Sequence, residues 1–421
     1  MTPRERVLDA FAHRETDSVP IDFSAHRSSG ISAIAYARLR DYLGMPKKQI
    51  RVYDPIQQLA IVDEDVLRRF GVDTIEMGRG FARADEDWHE WVLPDGTPCR
   101  LPAWTNPERR RGAWEIRSDS GAVIARMPDG ALYFEQMHYP FAESDERAGG
   151  LARAFADSMW TSPLLSCPPG PLADGEAGLR ALGEGAARLR GETDRAIVGL
   201  FGGSLFETGQ FLYRSDNFFL LLAGEPAKAE RFLDMVVESH LSNLERFLGA
   251  VGDSIDIVLF GDDLGMQTGP QISPAMYSRF FKPRHSLMWK RAKELGPAGR
   301  GGDPKRPALR VMLHCCGGIR ELLPDLIHAG ADAINPVQIT CGGMEPAGLK
   351  RDFGRDIVFW GGGCDTRMVL PGGTPQEVHD HVRRQVEIFS RDGGFVFQQV
   401  HNILANVPPK NIEAMFDAVR G

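Results

Sequence analysis

The stretch Leu309-Arg-Val-Met-Leu-His-Cys-Cys-Gly317 is an apolar run that ends in three side chains able to ligate a metal. Leu309 to Leu313 has the length and composition of a short buried strand. In a strand, residues i and i+2 share a face. His314 and Cys316 are therefore expected on one side and Cys315 on the other. A His-x-Cys pair at a strand end supplies two ligands and needs a third from elsewhere in the chain.

The same kind of run recurs at Val19–Phe23, Val72–Met77, Ala196–Phe201, Ile255–Phe260, Ala331–Ile334, Ile357–Trp360 and Phe395–Val400. Amphipathic segments such as Ala227–Leu248, Tyr277–Leu295, Ile319–Ala329 and Pro375–Phe389 separate most of these runs. Eight strand-then-helix units predict an α/β fold, the (β/α)8 TIM barrel. Residues 2–14 read as a helix with Thr2 as N-cap and Pro3 in its first turn. Residues 31–43 and 54–70 also read as helical. Between residues 80 and 141 the texture changes. Turn signals at Pro94-Asp-Gly96, Ser118-Asp-Ser-Gly121 and Pro128-Asp-Gly130 alternate with short mixed runs, which predicts an inserted antiparallel β-meander. The expected organisation is one barrel over 1–421 with 80–141 inserted. Trp88, Trp91, Trp104, Trp114 and Trp160, five of the seven tryptophans, lie in or just after the insertion. It is read as a cap over a site, a homodimer interface, or plain decoration. Residues 298–307 read as a loop.

The 421 residues are 43% hydrophobic and 25% charged, as in soluble globular proteins, with a net charge of −8. That balance argues against nucleic acid or an anionic membrane surface as partner. No apolar run is long enough to span a bilayer. The polar start Met1-Thr-Pro-Arg-Glu-Arg6 carries no signal-peptide core, so the expected location is cytoplasmic. In a reducing compartment cysteines favour thiol or metal chemistry over disulfides. Four of the six, Cys315, Cys316, Cys341 and Cys364, fall within fifty residues. Cys99 and Cys167 read as structural.

A barrel carries its site at the C-terminal ends of its strands. Those ends read Ser24-Ala-His-Arg27, Glu76-Met-Gly-Arg79, Gly202-Gly-Ser-Leu-Phe-Glu207, Gly261-Asp-Asp-Leu-Gly265, His314-Cys-Cys-Gly317, Asn335-Pro-Val-Gln338, Gly361-Gly-Gly-Cys-Asp365 and His401-Asn402. Polar and reactive groups interleaved with glycine suit a ligand that approaches backbone. The metal reading joins His314, Cys316 and Cys364, since thiolate and imidazole suit tetrahedral Zn2+ and three protein ligands leave a fourth position open. Glu207, Cys341 or the substrate is expected there. Without the later cysteine, such thiols would read as buried small hydrophobes. Glu207, Asp262 and His401 are the catalytic candidates. Of the adjacent pair Asp262 and Asp263, one is expected to face the site and the other to hold a loop, with Asp262 favoured as the functional one. His26, Arg27, Asp263, Gln338 and Asn402 are the candidates for binding substrate or cofactor.

The chain resembles the uroporphyrinogen decarboxylase superfamily, and within it the cobalamin-linked methyltransferase branch. The resemblance rests on Met1–Phe11, Gly261-Asp-Asp-Leu-Gly265, Ile272-Ser-Pro-Ala-Met-Tyr277, Phe281-Lys-Pro283, His314–Leu326, Ile334-Asn-Pro-Val-Gln338, Phe359–Thr366 and His401–Ile412. It covers nearly everything outside 80–141. The decarboxylase proper has an N-terminal Arg-x-x-x-Arg and an aspartate after the second strand. Here Ala25-His-Arg27 and Ile75-Glu-Met-Gly78 stand instead. The methyltransferase branch holds zinc with His-x-Cys and a later Cys, which His314, Cys316 and Cys364 match. The resemblance thus implies zinc-dependent transfer of a methyl group between a small methylated, methoxylated or thiol substrate and a corrinoid, free as cobalamin or on a partner protein. The alternative is a metal-independent decarboxylase or lyase of a carboxylated, tetrapyrrole-like substrate, with Arg27 and Arg79 as anchors.

Overall fold

The computed structural model describes residues 1–142, 150–165, 175–297 and 307–421. Cys167 and the expected loop up to residue 306 lie outside them. Seven parallel strands form one sheet in the order Phe395–Val396, Val358–Trp360, Ala333–Asn335, Arg310–His314, Ile257–Gly261, Ala196–Gly202 and Thr74–Glu76. The eighth stave closes the ring as a single bridge rather than a full strand. Ile21 pairs in parallel with Phe397, while the Asp73 amide donates to the Ile21 carbonyl at 2.8 Å. Pro20 has no amide to give, which shortens the ladder there. The expected (β/α)8 barrel is present, with the run at Val19–Phe23 reduced to this bridge.

Alternation along the strands sorts the two faces. Ala196, Val198, Ile257, Leu259, Met312, Ala333, Val358, Trp360 and Val396 form one buried cluster inside the barrel. Val311, Leu313 and Cys315 belong to the larger cluster between sheet and helices. Each fully buried Val, Leu or Phe contributes on the order of 2 kcal/mol, so a one-residue slip in any strand would be costly. The barrel floor is the helix Pro3–Phe11. Thr2 and Glu5 cap it reciprocally, and Val7, Ala10 and Phe11 enter the inner cluster. Phe11 meets Trp360 at 6.0 Å between ring centroids.

The stretch 54–70 departs from the helical expectation. Only Glu64–Arg69 is helix, preceded by strands Ile50–Asp54 and Leu59–Ala60. Val52 and Tyr53 favour extended backbone. Asp54 then accepts the Gln57 amide at 3.0 Å, and this Asx turn reverses the chain. The inserted strands divide between two sheets. Trp88–Val92 and Pro98–Pro102 form a hairpin that joins Ile50–Asp54 and Leu59–Ala60, with Pro98–Pro102 running parallel to Ile50–Asp54. Glu108–Arg110, Ala113–Arg117, Val123–Pro128 and Glu135–Gln136 form the second, antiparallel sheet. Trp88 and Trp91 are buried, and Trp91 packs edge-on against Trp114 at 4.4 Å. Trp88 and Trp91 thus fill the interior of the insertion. The Gln58 amide donates to the Leu132 carbonyl at 2.9 Å, which fastens the insertion to the 54–58 turn above the barrel mouth.

Candidate functional site

His314 ends the strand Arg310–His314 with the parity of Met312, so it looks into the barrel. Its Nε2 lies 3.5 Å from the Cys316 Sγ. Cys315 points the other way. It is fully buried, and its sulfur accepts the Leu264 amide at 3.3 Å. The turn after Cys316 depends on Gly317, whose φ is 92°. A Cβ there would strike the backbone of Gly265 and Met266. The Gln338 Oε1 accepts the Gly317 amide, and the Asp263 Oδ1 accepts the Cys316 amide at 2.7 Å. Burial, and then the Asp263 charge, hold the Cys316 thiol well above its usual range.

His401 stands opposite, its ring 6.0 Å from that of His314. One ligand atom each from His314, Cys316 and His401 lies within 4.8 Å of the others. A tetrahedral zinc with Zn–N near 2.0 Å and Zn–S near 2.3 Å separates N and S by about 3.5 Å, and the His314–Cys316 distance fits that. Burial beside His314 and His26 lowers the His401 pKa to about 3, which keeps the ring neutral as a ligand must be. Imidazole nitrogen and cysteine sulfur are donors that suit zinc, and bound zinc would displace the proton that Cys316 keeps in its absence.

The structure does not bring the expected third ligand, Cys364, into this group. Gly361 and Gly362 take φ of 109° and 80°, so strand parity stops carrying after Trp360. Cys364 is fully buried in the outer core, and its backbone carbonyl accepts the Val400 amide at 2.8 Å. Cys341 also stands outside the group, with its Sγ 3.6 Å from the side-chain oxygens of Gln267 and Gln338.

The two adjacent aspartates divide their work in the opposite sense to that favoured from sequence. Asp262 is fully buried and accepts the amides of Phe206 at 3.0 Å and Glu207 at 2.9 Å. Its Oδ2 also lies 3.1 Å from the His285 Nε2. It pins the N-terminus of the helix Phe206–Tyr213, where a carboxylate is favoured. Asp263 is the one that faces the cavity. Glu207, in the first turn of that helix, faces the cavity too. Burial, and then the charges of Asp263 and Asp262, push its carboxyl well above the usual carboxylate range.

The cavity over the barrel mouth measures about 680 Å³. Of the residues expected at the site, His26, Arg27, Glu207, Asp263, His314 and His401 line it. Asn402 and Gln338 do not. Asn402 is buried and ties the loop to the wall, accepting the Gly30 amide at 2.8 Å and donating to the Gln57 Oε1 at 2.9 Å. Arg27 donates to the Leu165 carbonyl at 2.6 Å and lies 3.4 Å from the Asp54 Oδ2. Arg79 is not part of the lining among the described residues.

Residues 170–421 match the family described as Uroporphyrinogen decarboxylase (URO-D). The chain belongs to the uroporphyrinogen decarboxylase family. The URO-D match takes in six of the seven sheet strands and every candidate from Glu207 to His401, and leaves out His26, Arg27 and the insertion. Among solved structures the chain is similar to a methyltransferase from Methanosarcina mazei, with a TM-score of 0.59 and 16% identity over 100% of this chain and 98% of that one. No curated protein matches the chain in sequence. Among the described residues, no helix is long and apolar enough to cross a membrane.

Sequence reading of this URO-D chain missed the cavity's side wall. Phe155, Trp160, Phe201, Phe211 and Phe247 line it, with His240 among them. His240 stacks on Phe155 at 5.9 Å, and its Nε2 lies 3.0 Å from the Ser204 carbonyl oxygen. Phe155, Trp160 and Phe211 lie outside the barrel strands, in segments with no strand-end signal. His240 and Phe247 sit in the long amphipathic helix Pro226–Val251, where their spacing reads as ordinary core.

Proposed function

We propose that this chain is a zinc-dependent methyltransferase that moves a methyl group between a small methylated substrate and a corrinoid. The observation that carries this reading is the convergence of His314 Nε2, Cys316 Sγ and His401 at the mouth of the barrel, where His314 and His401 line the cavity of about 680 Å³. Its likeness in fold to the methyltransferase from Methanosarcina mazei supports it. His314, Cys316 and His401 would hold the zinc, replacing the set with Cys364. Zinc there would act as a Lewis acid on the thiol or ether heteroatom of the substrate.

The chain's own groups supply the rest. Asp263 fixes the Cys316 backbone through its amide. Glu207, held toward its protonated form, delivers a proton to the heteroatom that keeps the electron pair when the methyl group leaves. Phe155, Trp160, Phe201, Phe211 and Phe247 wall the substrate from water. A cavity of this size is in the range for a small molecule. It does not enclose a corrin macrocycle with its side arms, so the corrinoid would approach across the mouth on a partner protein or as free cobalamin. Residues 1–421 read as one barrel with 80–141 inserted. The decarboxylase reading is weaker, because Arg27 already serves Leu165 and Asp54 while Arg79 is away from the described lining.

The test mixes zinc-loaded protein with reduced cobalamin and a panel of methyl ethers, methylamines and methyl thioethers. Growth of the methylcobalamin absorption supports the proposal, and Glu207→Gln slows it. No methylation from any donor, with release of carbon dioxide from a carboxylated tetrapyrrole, would establish the alternative.

A further inference from the structure

Behind His314 lies a chain of buried polar side chains that the methyl-transfer reading does not use. The His314 Nδ1 is 3.1 Å from the Asn335 Oδ1. Ser28 Oγ donates to the same oxygen at 2.7 Å and lies 2.9 Å from the His26 Nδ1. The Asn335 amide nitrogen donates to the Trp360 carbonyl at 3.0 Å and to the Gln398 Oε1 at 2.6 Å. The Gln398 amide in turn donates to the Ser28 carbonyl at 3.0 Å. Ser28, Asn335 and Gln398 are all buried, with Asn335 and Gln398 at 0% exposure.

This network leaves one orientation for Asn335. Its nitrogen faces two acceptors, so its oxygen must face Ser28 and His314. An oxygen can only accept, so His314 Nδ1 carries the proton and Nε2 is bare. The bare Nε2 is the atom 3.5 Å from the Cys316 Sγ. Among the described residues, Asp263 is the carboxylate beside Nε2 that would favour the opposite tautomer. Its Oδ1 lies 3.6 Å from Nε2, beyond hydrogen-bond length, and already accepts the Cys316 amide at 2.7 Å.

We propose that Asn335, locked by Ser28 and Gln398, is a positioning residue that holds His314 in the Nδ1-protonated tautomer and so presents Nε2 to a metal. The inference rests on the zinc reading above. Partners of this kind commonly set metal affinity by 10- to 100-fold.

Two measurements test it. Long-range proton–nitrogen NMR correlation on histidine-labelled, metal-free wild-type protein reads the His314 tautomer directly and needs no variant. A protonated Nδ1 is expected, and a protonated Nε2 overturns the inference. Chelator competition then compares zinc affinity in wild type, Asn335→Leu and Asn335→Asp. Asn335→Leu is expected to bind zinc about 10- to 100-fold more weakly, while Asn335→Asp, which keeps an acceptor for Nδ1 but loses the donor to Trp360 and Gln398, is expected to fall between wild type and Asn335→Leu. A folded Asn335→Leu with wild-type affinity assigns Asn335 to packing alone and overturns the inference. A wild type that binds no zinc sinks the functional reading itself, whereas a zinc-binding wild type with indifferent variants sinks only this one.

Discussion

Asp262→Ala separates a structural carboxylate from a catalytic one. Asp262 is fully buried and accepts two backbone amides and faces one imidazole. Truncation leaves the amides of Phe206 and Glu207 without their acceptor, at about 1–3 kcal/mol each. The total cost is about 4 kcal/mol. Unfolding entropy near 2.1 cal/mol/K per residue gives about 0.9 kcal/mol/K for 421 residues. The midpoint should therefore fall by about 4–5 °C. Differential scanning calorimetry of the metal-free protein reads it. Asp262→Asn keeps one acceptor oxygen and should fall by about half as much on the same reckoning. A midpoint within about 1 °C of wild type, with activity abolished, would refute the positioning role and return Asp262 to the chemistry.

Glu207→Gln tests the raised carboxyl. A folded carboxyl with a raised pKa binds more protons than the unfolded one, so its contribution to stability falls as pH rises from the ordinary carboxylate range through the raised value. The variant should match wild type at low pH and become progressively more stable than it as pH rises, read as Tm against pH. Gly317→Ala forces a Cβ onto the Gly265 and Met266 backbone at positive φ. It should cost at least about 2 kcal/mol in urea unfolding and weaken zinc binding together, since the turn carries Cys316. Cys315→Ala should lose about 1–2 kcal/mol of stability while keeping its zinc, whereas Cys316→Ala should keep stability in the metal-free state and lose zinc.

Much of the barrel was legible because period-2 burial and apolar runs of four to six residues are strong local signals. Parity alone placed His314 inward and Cys315 in the core. Cys364 was expected at the site from its place at a strand end, but Gly361 and Gly362 at positive φ turn the backbone after Trp360 and Cys364 lies in the outer core. The pair Asp262-Asp263 showed that one carboxylate would hold structure. Which one depends on where the amides of Phe206 and Glu207 point, a contact across 55 residues for the nearer of them. The strands at 50–60 were hidden because the Asx turn at Asp54 interrupts a pattern that also fits a helix. Of the cavity's aromatic wall, Trp160 was noted only among the tryptophans near the insertion, and Phe155 gave no signal, because both reach the cavity only through the tertiary fold.

The central claim is the ligand set, and zinc content per chain tests it most directly. Wild type and Cys364→Ser, purified without chelator and assayed by mass spectrometry of the metal, should each carry about one zinc, while His314→Ala, Cys316→Ala and His401→Ala should carry almost none. Zinc retained in His401→Ala and lost in Cys364→Ser would contradict the account and restore Cys364 as the third ligand.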